Sequence, residues 1–283
     1  MKNKKQNQIG SAAFEEYYRE IYGQRWEALK KSFSEPNQSV EYFIKGSQKS
    51  YFLDSASVYA ALNLPLKGAK NILDLCAAPG GKTLVLASRM ESDAVLSSNE
   101  RSGERKHRLD VVVSECLPSE VQERVKTSCS DGATWCTRQT ECFDRILLDA
   151  PCSSERHVFL DPKYLNIWTK SRIKTVAMEE WALLSGAYRL LEVGGILLYS
   201  TCALSPVEND LMIEKLIQKY NKDGTALKIL EQNFDVNEIK DFVNISLPGV
   251  EKTQYGYQIL PDKQGGAGPI YFAIIQKQSS FLS

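Results

Sequence analysis

The chain has 283 residues, 43% hydrophobic and 25% charged, which allows a sizeable buried core and excludes a disordered or fibrous protein. Lysine plus arginine and aspartate plus glutamate each number 35, so the net charge is zero. This argues against a protein that coats polyanions by bulk charge but leaves room for a local basic face. Seven scattered cysteines with no Cys-x-x-Cys pair, and only His107 and His157 as further ligands, read as free thiols in a reducing compartment; no metal is expected.

In chain order, Met1-Lys2-Asn3-Lys4-Lys5 is basic but leads to no apolar segment, and Glu15, Glu16 and Glu20 do not suit a mitochondrial transit peptide. No apolar run approaches the roughly 18 residues of a membrane span, so a cytoplasmic protein without membrane partners is expected. Residues 1–10 read as a polar tail. Over 11–33, Phe14, Tyr17, Tyr18, Ile21, Trp26 and Leu29 recur at steps of mostly three and four, predicting one amphipathic helix with an aromatic face. That face either packs on the main domain or stacks RNA bases. Pro36 breaks the pattern. An N-terminal helical extension over 1–50 and a catalytic domain over 51–283 are expected.

From residue 51 strands and helices alternate. A helix is predicted over 55–64, a strand over 71–75 and a helix over 84–90. A strand over 94–98, a helix over 105–117 and strands over 125–129 and 143–148 follow. A long helix spans 172–192. A turn at 192–195 leads to a fifth strand over 196–199, then a helix over 207–220 and apolar runs near 257–260 and 270–275. Such alternation implies an α/β fold with a parallel sheet and helices on both faces.

The chemistry-bearing residues sit at the predicted strand ends, where open α/β sheets bind ligands. The first strand runs into Cys76-Ala77-Ala78-Pro79-Gly80-Gly81-Lys82-Thr83, in which Gly80 and Gly81 let the backbone turn tightly against a ligand. Two ligand classes fit. Gly81-Lys82-Thr83 matches the end of a phosphate-binding loop, with Asp149 as its acid, but Cys76 stands where that loop needs its first glycine. The other class is a nucleoside. Glu100 ends the second strand, suited to a ribose diol, and Asp131-Gly132 follows the third, placed for an adenine amino group. With Asp149 this is the layout of an S-adenosylmethionine site. Asp149-Ala150-Pro151-Cys152 ends the fourth strand, and Thr201-Cys202 follows the fifth, fifty positions later. Two thiols at one sheet edge suggest covalent chemistry on an electrophilic ring carbon; as structure alone they would be small residues ending strands.

Three stretches carry a family resemblance: residues 73–83 (LDLCAAPGGKT), Asp149-Ala150-Pro151-Cys152 and Ser200-Thr201-Cys202. In order and spacing the chain resembles the Sun family of RNA cytosine-5 methyltransferases over about residues 51–283. Asp54-Ser55-Ala56-Ser57, Glu155-Arg156-His157 and Gly268-Pro269-Ile270-Tyr271-Phe272 look most like the branch acting on mitochondrial small-subunit ribosomal RNA. The family's NusB-like and PUA-like RNA-binding domains are not expected in a chain of this length.

The resemblance implies a Rossmann-like class I S-adenosylmethionine-dependent methyltransferase. Cofactor contacts would come from Cys76, Ala77, Ala78, Pro79, Gly80, Gly81, Lys82, Glu100, Arg105, Asp131, Gly132 and Asp149; an aspartate is usual at position 100. By the family pattern Cys202 is the nucleophile that adds to carbon 6 of cytosine, and Cys152 assists its release. Asp149, protonated or sharing a proton and held by Lys82, would bond the ring nitrogen. The implied partner is RNA rather than DNA, with ribosomal RNA in a ribonucleoprotein ahead of transfer RNA, the target base flipped out and room for a protein partner. A non-catalytic ribosome-assembly factor that keeps the cofactor pocket is the rival. Arg156, His157, Lys163, Lys170, Arg172 and Lys174 form a basic stretch that reads either as RNA contacts or as a solvated face.

Overall fold

The computed structural model describes residues 9–221, 226–244, 246 and 248–279, so most of the expected N-terminal tail lies outside the described residues. The strands are β1 (Ser39–Tyr42), β2 (Tyr51–Asp54), β3 (Asn71–Asp74), β4 (Val95–Glu100), β5 (Val125–Cys129), β6 (Phe143–Asp149), β7 (Leu191–Thr201), β8 (Leu227–Leu230), β9 (Glu251–Lys252), β10 (Tyr257–Ile259) and β11 (Ile270–Lys277). The helices are α1 (Ser11–Tyr22), α2 (Arg25–Ser32), α3 (Ser55–Leu62), α4 (Gly81–Arg89), α5 (Gly103–Cys116), α6 (Ser119–Gln122), α7 (Glu155–Leu160), α8 (Pro162–Leu165), α9 (Lys170–Leu190) and α10 (Asp210–Tyr220).

The main sheet runs β5-β4-β3-β6-β7-β11-β10-β9, with β8 on β11. The five strands β3 to β7 are parallel, as the alternating pattern requires. The sheet is nevertheless mixed: β11 pairs antiparallel with β7, Phe272 opposite Ser200, and β8 and β10 run antiparallel to β11. The two last apolar runs return without a crossover helix between them, so the wholly parallel sheet does not hold. Strand order reverses on either side of β3, with β4 on one flank and β6 on the other, which opens a crevice at the carboxyl edge.

Burial on both faces explains the near-continuous apolar strands. In β6, Leu147 packs with α3, α4 and α5, while Ile146 and Leu148 face α9 and α10. In β7, Leu198 and Leu197 divide the same way. Each fully buried side chain of this kind contributes about 1.5–3 kcal/mol relative to exposure.

The N-terminal segment is two helices, not one. Gly23, at φ +55°, carries the break, and its N–H still bonds to Arg19 O at 2.9 Å. The stripe is buried except for Ile21, which is half-buried: Phe14, Tyr18 and Trp26 cluster with Trp168, whose ring lies 5.4 Å from that of Phe14. These rings pack and are closed to base stacking. The predicted turn at 192–195 is absorbed into β7, with Gly194 at φ +83°. The boundary drawn after residue 50 falls between β1 and β2, which form an antiparallel pair.

Candidate active site

Asp74, Glu100, Asp149 and Thr201 end β3, β4, β6 and β7, so the loops after them converge on one edge. Gly80 (φ +121°) takes a conformation that favours glycine, and a Cβ there would come within 2.9 Å of Val112 Cγ1. Ala77 N donates to Asn99 O at 2.8 Å and Arg105 Nη2 to Ala78 O at 2.6 Å, which clamps the loop to β4 and α5. Gly132 is equally constrained, since a Cβ would sit 2.8 Å from Leu75 Cδ1.

A cavity of about 140 Å³ lies behind this loop, lined by Tyr51, Asp74, Cys76, Pro79, Gly81, Lys82 and Asp149 among others. Two buried carboxylate oxygens near the loop have no hydrogen bond: Asp74 Oδ1, whose residue lines this cavity, and Glu100 Oε2, which ends β4 outside it, 3.3 Å from Arg105 Nη1. Burial lifts the Asp74 carboxyl to about 7, although Thr83 Oγ1 donates to it at 2.7 Å. Burial also pushes the Cys76 thiol well up, which makes it a lining group and not a nucleophile. Glycines that admit close approach, and spare buried acceptors, fit a nucleoside-type ligand carrying hydroxyl and amino groups. Asp131 is exposed and caps a short 3-10 helix through Ala133 N; Glu100, Arg105, Asp131 and Gly132 line neither of the two cavities described here.

The second cavity, about 660 Å³, is walled by Ser34 to Asn37, Asp54, Ser57, Arg156, His157, Leu160 and Gly268 to Ile270, with Cys202 and Ser154 inside. Lys82, Asp149 and Ser57 line both cavities and so form the wall between them. Lys82 Nζ lies 2.7 Å from Asp149 Oδ2 and 3.3 Å from Ser57 Oγ, and Ser200 Oγ donates to Asp149 Oδ1 at 2.7 Å. Burial opposes the Lys82 charge, but the Asp149 carboxylate outweighs it and lifts the ammonium above its ordinary range.

The two predicted thiols meet. Cys152 Sγ and Cys202 Sγ are 3.0 Å apart, and Ser154 Oγ lies 3.5 Å from the first and 3.4 Å from the second. Ser154 reaches them from a left-handed conformation, φ +54°, which costs a non-glycine residue about 1–2 kcal/mol. The hydrogen bond from Cys152 holds the Cys202 thiol below the usual range, helped by Ser154, while the same bond and burial push Cys152 well above it. The pair therefore titrates as a unit, with Cys202 the sulfur that gives up its proton first.

Ser57, Ser154 and Ser200 were not singled out from the sequence as site residues, although each adjoins a motif that was. Arg156, one of the expected RNA contacts, is engaged within the protein. Its guanidinium donates to Phe33 O, Glu35 O, Gly266 O and Gly268 O, tying two distant segments into one cavity wall. His157 lines the cavity and packs on Tyr164, with ring centroids 5.2 Å apart. Lys163, Lys170, Arg172 and Lys174 are exposed.

The family model for 16S rRNA methyltransferase RsmB/F matches residues 61–274. The 5-cytosine rRNA methyltransferase NSUN4 of Mus musculus is 31% identical over 241 residues, 82% of this chain and 61% of that protein. The mitochondrial tRNA (cytosine(34)-C(5))-methyltransferase of Danio rerio is 31% identical over 232 residues, 80% of this chain and 60% of that one. The chain thus spans about three fifths of the length of these curated relatives. A solved methyltransferase homolog protein from Pyrococcus horikoshii shares the fold at TM-score 0.70 and 21% identity, covering 94% of each chain.

Proposed function

The chain belongs to the RsmB/F family of 16S rRNA methyltransferases, the kinship its three motifs pointed to, and we propose that it methylates carbon 5 of cytosine in RNA with Cys202 as nucleophile. The observation that carries this reading is the wall shared by the two cavities: Lys82 and Asp149 separate the glycine-rich loop from a thiol pair 3.0 Å apart. Residues 76–82, Asp74, Glu100, Arg105, Asp131 and Gly132 would hold S-adenosylmethionine. When bound, it supplies an electrophilic methyl group.

The chain's own groups do the rest. The Cys202 thiolate adds to carbon 6 of the ring, relieving the poor nucleophilicity of carbon 5. Asp149, hydrogen-bonded to Ser200 and paired with Lys82, faces the base cavity and would pass a proton from the Lys82 ammonium to the ring nitrogen where negative charge develops. Cys152, whose sulfur lies 3.0 Å from Cys202, passes its proton to the departing Cys202 sulfur and, as the thiolate so formed, takes the hydrogen from carbon 5 as the Cys202–carbon bond breaks and the ring double bond re-forms.

The RNA is proposed to cross the face formed by α7, α8 and the start of α9. Exposed Leu160 and His157 there adjoin Lys163, Lys170, Arg172 and Lys174, cations that can meet phosphates. The target base leaves its stack to enter the cavity. Small-subunit ribosomal RNA is the favoured substrate, supported by the family and by NSUN4; the similarity to the Danio rerio enzyme supports a transfer RNA as the second reading. Thiols this close would oxidise outside a reducing compartment, which supports a cytoplasmic location.

Tritium transfer from labelled S-adenosylmethionine to RNA tests the reaction. Cys202→Ala should abolish both methylation and a covalent RNA adduct, while Cys152→Ala should let an adduct form and persist. Equal, mild losses in the two variants would mean that neither thiol reacts. Bisulfite sequencing of RNA from cells with and without the gene separates ribosomal from transfer RNA.

A further inference from the structure

Beneath the thiol pair lies a cluster of acids that the reaction does not use. Glu155, Glu180 and Glu208 are all fully buried. Among the described residues, the leading influences on them are burial and groups that are themselves acidic or neutral, none of them a cation. Isolated charges would be untenable in such a place, so their protons and donors need accounting.

Glu155 opens α7, three residues after Cys152, and its carboxylate reaches three elements. Oε1 accepts from Tyr18 OH on α1 and from Ser153 Oγ, and Oε2 accepts from Leu204 N at 2.9 Å, two residues after Cys202. Glu208 reaches back from the loop before α10: Oε1 accepts from Ser153 N at 2.7 Å, and Oε2 lies 2.7 Å from Ser153 Oγ. Ser153 is the residue after Cys152, so each acid crosses from one cysteine loop to the other.

Ser153 has a single hydroxyl proton but contacts a carboxylate on each side. Both contacts are satisfied only if one acid carries a proton of its own. Glu155 already receives Tyr18 and the Leu204 N–H, which suits an anion. The arrangement is then Glu208 O–H to Ser153 Oγ, and Ser153 O–H to Glu155.

We propose that Glu155 and Glu208 are positioning residues for the thiol pair. Joined through Ser153 by one retained proton, they hold the Cys152 and Cys202 loops at the spacing at which the two sulfurs share a hydrogen. The proposal rests on the reading of these thiols as the reacting groups. Burial, with Glu155 close by, lifts the Glu208 carboxyl to about 8, and burial beside Glu208 lifts Glu180 to about 10, which favours the protonated form of both at pH 7; burial raises Glu155 too, but the donors Ser153, Tyr18 and Leu204 N–H oppose it. The groups facing the cluster are Tyr17 and Tyr18 from α1, Glu180 from α9, Tyr199 from β7, and the two cysteines with Ser205 from the loops. Tyr199 OH donates to Glu208 O at 2.7 Å and Tyr17 OH meets Ser205 Oγ at 3.0 Å.

The acids are therefore not equivalent, and their amides should behave differently. Glu208→Gln reproduces the protonated acid, accepting from Ser153 N and donating to Ser153 Oγ. Glu155→Gln turns an N–H2 towards groups that are themselves donors. The rate of alkylation of Cys202 by iodoacetamide, followed by peptide mass spectrometry from pH 6 to 10, reports the thiol pair without RNA or methyl donor. In the native protein the inflexion lies below that of a free thiol, about 8.5. Glu155→Gln should move it upwards by about one unit and lower kcat for methylation about 10²-fold. Glu208→Gln should keep both near native values at pH 7. Tyr18→Phe, which removes one donor and no acid, should shift the inflexion the same way by less, and stands in if Glu155→Gln does not fold by thermal melt. An unmoved inflexion in both Glu155→Gln and Tyr18→Phe, or equal effects of the two amide changes, overturns the proposal. Because alkylation needs no substrate, a native protein that methylates no RNA overturns the methyltransferase reading and leaves this one to its own test.

Discussion

Removing the Lys82 ammonium leaves the Asp149 carboxylate with Ser200 as its one remaining side-chain donor, at the wall between the two cavities. Lys82→Met should lower kcat about 10²-fold or more, the usual cost of losing a positioned proton or charge partner, with a smaller effect on cofactor affinity. Single-turnover kinetics with saturating RNA and isothermal titration of S-adenosylmethionine measure the two separately; equal losses in both would make Lys82 a cofactor ligand alone. At this scale the sequence was most readable where a residue type is rare at a strand end. Two cysteines, an acid and a lysine among glycines stand out in a string. Glu155, Glu180 and Glu208 did not, because an acid in a charged stretch looks solvated until the fold buries it. Arg156 shows the converse: beside His157 and Lys163 it looks like one more phosphate contact, but in the fold four backbone carbonyls occupy most of its donors.

Between elements, that arginine joins the segment after α2 to the segment before β11. Arg156→Ala should leave those carbonyls without a shared donor and loosen the cavity wall, raising KM for RNA several-fold while leaving the salt dependence of binding unchanged. Replacing Lys163, Lys170, Arg172 or Lys174 by Ala should instead lower the slope of log K against log salt by about one per residue. Fluorescence anisotropy of a labelled RNA across a salt series distinguishes the two; a reduced slope in Arg156→Ala would return that residue to the RNA face. The parallel strands were legible because runs such as Ile146-Leu147-Leu148 are buried on both faces and admit no solvent side. The β1–β2 pair was not, since Ser39–Tyr42 is only four residues long and buries only Tyr42, too short a stretch for its alternation to stand out. The single aromatic helix failed at Gly23, whose positive φ the periodicity of its neighbours does not encode.

Across the whole molecule, three buried acids hold protons that they would give up when unfolded at neutral pH. Glu208 at about 8, Glu180 at about 10 and Asp74 at about 7 all lie above the ordinary carboxylate range through burial. Through these groups the folded chain binds more protons than the unfolded one between about pH 4.5 and 10, and their contribution to stability falls as pH rises through that window. Thermal melts in one buffer series should show a falling Tm from pH 5 to pH 8.5. Glu180→Gln, which carries no titrating proton, should flatten that slope; a Tm that rises over this range would contradict the burial of neutral acids.

The cavity that would receive the base is bounded by Ser34 to Asn37 on one side and by Gly268 to Ile270 on the other, whereas the glycine-rich loop is complete by Lys82. A growing polypeptide thus acquires its donor-binding turn long before it owns anywhere to put a nucleotide. The wall from Gly268 to Ile270 exists only once the strand from Ile270 has paired with β7.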